Sequence, residues 1–186
     1  MRSYQYTIFS GSSCSTSLKK RESAGKACNL WVLSVVYPLP HDRTIVLSFI
    51  SMTQQEQNKQ VVQAYVSAFN QGNLEELRQL FAPDAEIQGV LGKGLMDKVM
   101  PVWEQLVSGL GMQLTIEDMA AEGDVVAVRY TERGTFRGSF MGNEPTGQSY
   151  EIVAMEWFRI RDGKIQQRWG ARDHAAQARQ IGLPLK

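Results

Sequence analysis

The sequence predicts an α+β domain in which helices come first and pack on one face of a curved antiparallel sheet. Three observations carry that expectation. Residues 54–70, QQEQNKQVVQAYVSAFN, put Val61, Val62, Tyr65, Val66 and Phe69 on one stripe at the i, i+3, i+4, i+7 spacing of an amphipathic helix. Residues 113–121 and 125–136 read as strands around a turn at Glu122-Gly123-Asp124. Residues 150–173, YEIVAMEWFRIRDGKIQQRWGARD, read as a hairpin about Asp162-Gly163, a dipeptide suited to the positive φ angles of a type I′ turn.

The remaining elements fall between these. Gln71-Gly72 ends the first helix, and Asn73 caps a second, LEELRQLFA, with Glu76 completing a capping-box pattern. That helix stops at Ala82 because Pro83 follows. Residues 85–90 form a short strand, and glycines 89, 92 and 94 loosen the way to a third helix over 95–110. Its apolar face is Met96, Val99, Trp103, Leu106 and Val107, and Pro101 should start or kink it. Residues 137–149 are a Gly- and Pro-containing loop, and residues 174–181 a last short helix before Gly182-Leu183-Pro184. A sheet of this kind curls into a cone whose open end admits a small ligand.

The hairpin sets the expected interior. If Arg161 pairs with Lys164, Ile152, Ala154, Glu156, Phe158 and Ile160 share a face with Asp173, Ala171, Trp169, Gln167 and Ile165. The other face takes Val153, Met155, Trp157, Arg159 and Arg161 with Arg172, Gly170, Arg168, Gln166 and Lys164. The first face is apolar save for Glu156 and Asp173, and a carboxylate there needs a partner or a task. The two lie ~13 Å apart along the strand at ~3.3 Å per residue, too far to share a proton. Glu156 is therefore expected to hydrogen-bond in the cavity wall or to pair with an arginine such as Arg129.

Composition narrows the class. The 186 residues are 43% hydrophobic and 21% charged, as in a globular domain. Residues 1–51 hold six Lys/Arg against two Asp/Glu, and residues 52–186 hold 14 against 17, so the net charge of +1 divides into +4 and −3. Both cysteines, Cys14 and Cys28, precede the domain, whose only histidine is His174. A disulfide framework, a cysteine metal site and a His-rich metal centre are excluded there.

Residues 1–51 are Ser-rich and basic, without sustained periodicity, and are expected to be an unstructured leader to a domain at 52–186. The apolar runs 30–37 and 44–50 are short of the ~18 residues a membrane span needs. Translation starting at Met52 and an organellar targeting segment are the two explanations for this leader. The expected location is cytoplasmic.

Three blocks then carry a resemblance: AYVSAFNQGNLEELRQLFAPDAEI; AEGDVVAVRYTERGTFRGSFMGNEPTGQSYEI; and FRIRDGKIQQRWGARD followed by QIG. They occur in the order found in the nuclear transport factor 2-like superfamily, and they resemble its SnoaL-like polyketide cyclase (ester cyclase) family over about residues 55–184. The middle block is the most specific. Many relatives have His where Phe136 stands, so any role of that side chain is absent here.

The resemblance implies the cone-shaped fold and a cofactor-free enzyme that closes a ring by intramolecular aldol chemistry on a hydrophobic carbonyl compound. It places the general acid/base at Asp173 in WGARD. Two roles are open to that residue. Walled by Trp169 and Ile152, it would be desolvated and its pKa raised; as the cap of the last helix it would accept backbone N–H bonds. The pocket expected around it comprises Tyr65, Phe69, Trp103, Arg129, Glu156 and Trp169. The alternative is a non-catalytic domain that binds a small ligand or dimerises.

Two related chemistries are tested by single positions. The opening segment also resembles ketosteroid isomerases, whose oxyanion-binding tyrosine corresponds to Tyr65. Their catalytic aspartate falls at Gly89, which has no side chain, so that reaction lacks its base. The Asp-Arg-Asp set of limonene-epoxide-hydrolase-like members has no clear counterpart. The basic row Arg159, Arg161, Lys164, Arg168, Arg172 does not imply nucleic acid in a domain of net charge −3. With Met155 and Trp157 it is expected to be a homodimer face.

Overall fold

The computed structural model describes residues 15–20, 31–37, 45–48 and 52–184, and the chain divides into two compact units, Met1–Thr53 and Gln54–Lys186. In the first unit β1 (Ser15–Lys20), β2 (Trp31–Tyr37) and β3 (Ile45–Ser48) form an antiparallel sheet in the order β1-β2-β3. This departs from the expected unstructured leader. WVLSVVY and IVLS are rich in β-branched residues, which suit paired strands even without clear alternation. Cys14 and Cys28 lie outside the described residues.

The second unit holds α1 (Gln54–Asn70), α2 (Leu74–Gln79), β4 (Phe81–Gly89), β5 (Gly92–Gly94), α3 (Met96–Ser108), β6 (Gln113–Glu122), β7 (Val125–Thr135), β8 (Ser149–Arg161), β9 (Lys164–Arg172) and α4 (His174–Gln180). Its six strands run in the order β5-β4-β9-β8-β7-β6. The sheet is mixed, not antiparallel throughout, because β4 runs parallel to β9. Pairing of strands so far apart in sequence leaves no local signature. Pro83 lies where that pairing is interrupted, between Phe81 and Glu86, so its missing N–H costs no regular ladder bond.

The helices cover one face. α1 buries Val62, Tyr65, Val66 and Phe69 against β6 and β7, and each such side chain contributes roughly 1.5–3 kcal/mol by leaving water. Polar contacts fix its position. Asn58 Nδ2 donates to the Gly123 carbonyl at 3.2 Å, and the Asn70 amide both donates to Leu114 O (2.9 Å) and accepts from Leu114 N (2.8 Å). Asn73 caps α2 by accepting the Glu76 N–H. α2 ends before Phe81, which already belongs to β4. α3 keeps Pro101 inside it and buries Met96, Trp103 and Leu106. Among the described residues no helix is long and apolar enough to cross a membrane.

The β8–β9 hairpin holds the main surprise. The turn is as expected, with φ of +51° at Asp162 and +70° at Gly163, and Arg161 faces Lys164. Two residues on, the pairing changes from Ile160–Ile165 to Arg159–Gln167, so Gln166 is an extra residue bulged out of the ladder. From there to its end β9 has the opposite pleat phase to the one predicted. Arg168 faces Phe158, Gly170 faces Glu156 and Arg172 faces Ala154, all on the buried side, while Trp169 stands opposite Trp157 on the outer side.

Candidate active site

A cavity of about 520 Å3 opens between α3, the β4–β5 turn, the 140–143 loop, β9 and α4. Ile87, Val99, Val102, Trp103, Leu106 and Phe140 supply its apolar wall. Arg168, Gly170 and Arg172 reach it from β9, and His174 and Gln177 from α4. The size is that of a small-molecule site.

Arg168 is held on several sides. Its Nη2 donates to Glu156 Oε1, and both side chains are buried. Its guanidinium lies 5.8 Å from the centre of the Trp103 ring, a cation–π contact. Gly170 makes the approach possible, since a Cβ there would sit 2.6 Å from Arg168 Nη2. Burial is the largest influence and works against the Arg168 cation, but the Glu156 charge and hydrogen bond, together with Tyr65 and Tyr130, outweigh it and raise the pKa above the usual guanidinium value. Tyr65 Oη also approaches Glu156 Oε1, at 3.5 Å. Behind this pair Tyr65, Phe69, Phe81, Trp103 and Phe158 form an aromatic cluster, with Tyr65 5.2 Å from Phe158 and Phe81 5.6 Å from Trp103 between ring centres.

A second buried carboxylate braces the other arginine. Glu132 Oε1 accepts from Tyr150 Oη (3.0 Å), Gln177 Nε2 (3.2 Å) and Arg172 Nη1 (3.4 Å). Burial raises the Glu132 pKa above the ordinary 4.5, against the opposing effects of Arg172 and Tyr150. Burial, then the Glu132 charge, likewise pushes the Tyr150 hydroxyl up. The sign for stability follows. On account of Glu132, stability is complete below its unfolded pKa and is lost as pH rises through the raised folded value. Glu132→Gln retains an acceptor for Tyr150 but cannot ionise. Its urea midpoint should therefore fall less than that of the wild type between about pH 4 and pH 8. Parallel curves for the two proteins would reject this account.

The expected site residues separate into three groups. Trp103 lines the cavity. Tyr65, Phe69 and Glu156 are buried behind it, and the partner of Glu156 is Arg168 rather than Arg129. Arg129, Trp169 and Asp173 lie elsewhere. Arg129 is exposed and donates through Nε to Asp118 Oδ2 at 2.8 Å, because Val128, not Arg129, shares the inward phase of β7. The bulge carries Trp169 outward. Asp173 is not a desolvated carboxylate: it is exposed and caps α4, accepting the Ala176 N–H at 2.8 Å. Of its two roles, capping is the one the geometry shows.

Arg168, Arg172, Glu132, Gln177 and His174 were not among the expected site residues. Glu132 had a readable signal, since it continues the inward series Val126, Val128, Tyr130 along β7. The consecutive glutamines 166 and 167 are the only local hint of the bulge that brings both arginines inside.

A family model described as SnoaL-like polyketide cyclase matches residues 59–181. The chain belongs to this family. Among solved structures, the SnoaL-like chain is similar to IdmH of Streptomyces antibioticus, provisionally named a polyketide cyclase, at 32% identity and a TM-score of 0.60, over 68% of this chain and 99% of that one. It is similar to AclR of Streptomyces galilaeus, provisionally named a hydroxylase, at 26% identity and a TM-score of 0.65, over 70% and 100% of the two chains. A protein of ketosteroid isomerase-like fold from Catenulispora acidiphila, 19% identical with a TM-score of 0.58 over 67% of this chain and 93% of that one, shares the architecture. No curated protein matches significantly.

Proposed function

We propose that this SnoaL-like chain is a cofactor-free enzyme acting next to a carbonyl group of a hydrophobic small molecule, with intramolecular aldol-type ring closure as its reaction. The observation that carries the reading is the cavity itself, an apolar chamber ending on two arginines that buried carboxylates hold in place. Removing a proton α to a carbonyl creates an enolate, and fixed cations in a water-poor site stabilise that charge as it develops. The enolate carbon then attacks a second carbonyl, and the resulting alkoxide takes a proton back. His174 is the imidazole in the lining, a group able to accept and return a proton, and it is assigned both transfers. Asp173 enters as the cap that sets the start of α4 and with it the position of His174. The test is deuterium uptake by the methyl group of a naphthyl methyl ketone in heavy water, followed by NMR. Uptake faster than in buffer alone supports the reading; neither uptake nor binding of the ketone would sink it.

The outer sheet face is assigned to a homodimer. Val153 (51%), Met155 (55%) and Trp157 (51%) stand exposed in a row on β8, with Trp169 (36%) beside Trp157 on β9. Large apolar side chains among arginines make effective interface anchors. Trp157→Glu should give monomers in sedimentation equilibrium without loss of the folded circular dichroism spectrum. A wild-type protein that is already monomeric at micromolar concentration would dispose of this assignment.

A further inference from the structure

The charge of the cavity wall is one-sided. Among the described residues that line it are Lys93, Lys98, Arg168, Arg172 and His174, and none is Asp or Glu. The two carboxylates that brace the arginines, Glu132 and Glu156, are buried outside this lining. Each holds its guanidinium by one edge. Arg168 is 3% exposed, and its Nε has no acceptor. Arg172, half-buried, gives Nη1 to Glu132 and to Met112 Sδ (both 3.4 Å).

We propose that the substrate is a hydrophobic acid: a planar apolar body against Trp103, Val102 and Phe140, with an anionic oxygen, as in a carboxylate or a stabilised enolate, received by Arg172 and Arg168 and drawn in past Lys98. Guanidinium forks held from behind are preorganised for a two-oxygen anion, and such charge-assisted bonds are about twice as strong as neutral ones. Lys93 is paired with Glu86 at 2.9 Å, so it is Lys98 at the rim that adds attraction over the approach, a contribution that salt screens. The inference deepens the small-molecule reading above and rests on it.

Calorimetric titration of the full chain with naphthoate and with methyl naphthoate tests it, since the two share the apolar body and differ in the anion. The acid should bind about tenfold tighter or more, the factor one charge-assisted hydrogen bond supplies. Lys98→Gln, an exposed change that leaves the fold intact, should weaken the acid by a few-fold and leave the ester unaffected. Arg172→Gln, with its fold checked by circular dichroism, should remove most of the preference. An ester that binds as tightly as the acid overturns the anion inference and leaves the hydrophobic-cavity reading standing. Failure of both compounds to bind overturns that reading, and this inference with it. A folded Arg172→Gln that keeps the full preference overturns the role given to that arginine.

Discussion

His174→Gln should slow deuterium uptake by the naphthyl methyl ketone by ~10²–10⁴-fold, the range that loss of a general base removes. Asp173→Asn should change it by no more than about twofold, because Asn caps a helix about as well as Asp. The reasoning is positional. His174 and Asp173 are adjacent, but only His174 lines the cavity, while the Asp173 carboxylate is committed to the Ala176 N–H. Glutamine is close to histidine in reach and cannot take the proton, so the pair of variants isolates proton transfer from the placement of α4. The opposite result, a large loss in Asp173→Asn and a small one in His174→Gln, would return the base to the aspartate that the family resemblance implies.

Arg168→Met is expected to destabilise the domain by about 3–5 kcal/mol, because it leaves the Glu156 carboxylate buried without its countercharge. The double variant Arg168→Met/Glu156→Leu should recover most of that loss, since apolar side chains of similar volume often replace a buried ion pair at little net cost. Urea unfolding of the two variants and the wild type measures both effects, and adding the single Glu156→Leu variant closes the cycle that gives the coupling. A single variant that loses less than about 1 kcal/mol would mean that water reaches Glu156, and that the pair is not the dry brace its burial indicates.

Local chemistry explains which parts of this molecule could be read in advance. α1 follows from the spacing of its valines and aromatics, and the β8–β9 turn from Asp162-Gly163, because both depend on neighbours in sequence. Capping of α4 by Asp173 was legible for the same reason. The interior of β9 was not. Its phase depends on Gln166 leaving the ladder, an event set by how β9 fits between β8 and β4 rather than by the residues around it. One uncounted residue therefore misplaced Trp169, Arg168 and Arg172 together. Arg129 is a different case, since the alternation along β7 already puts it beside Met155 on the outer side.

The bulge at Gln166 also separates two properties that a regular hairpin would tie together. In an unbroken ladder every inserted or deleted residue inverts the strand beyond it and exchanges its inner and outer side chains. Here the extra residue is already set aside, so losing it would join Ile165 to Gln167 and keep the partners of both. Arg168, Gly170 and Arg172 would still look inward, and what would change is the local bend, which bulges accentuate. A one-codon deletion at this point thus alters the curvature of the sheet without touching the charge it encloses, so a lineage can vary the size of the chamber and the chemistry inside it as independent traits.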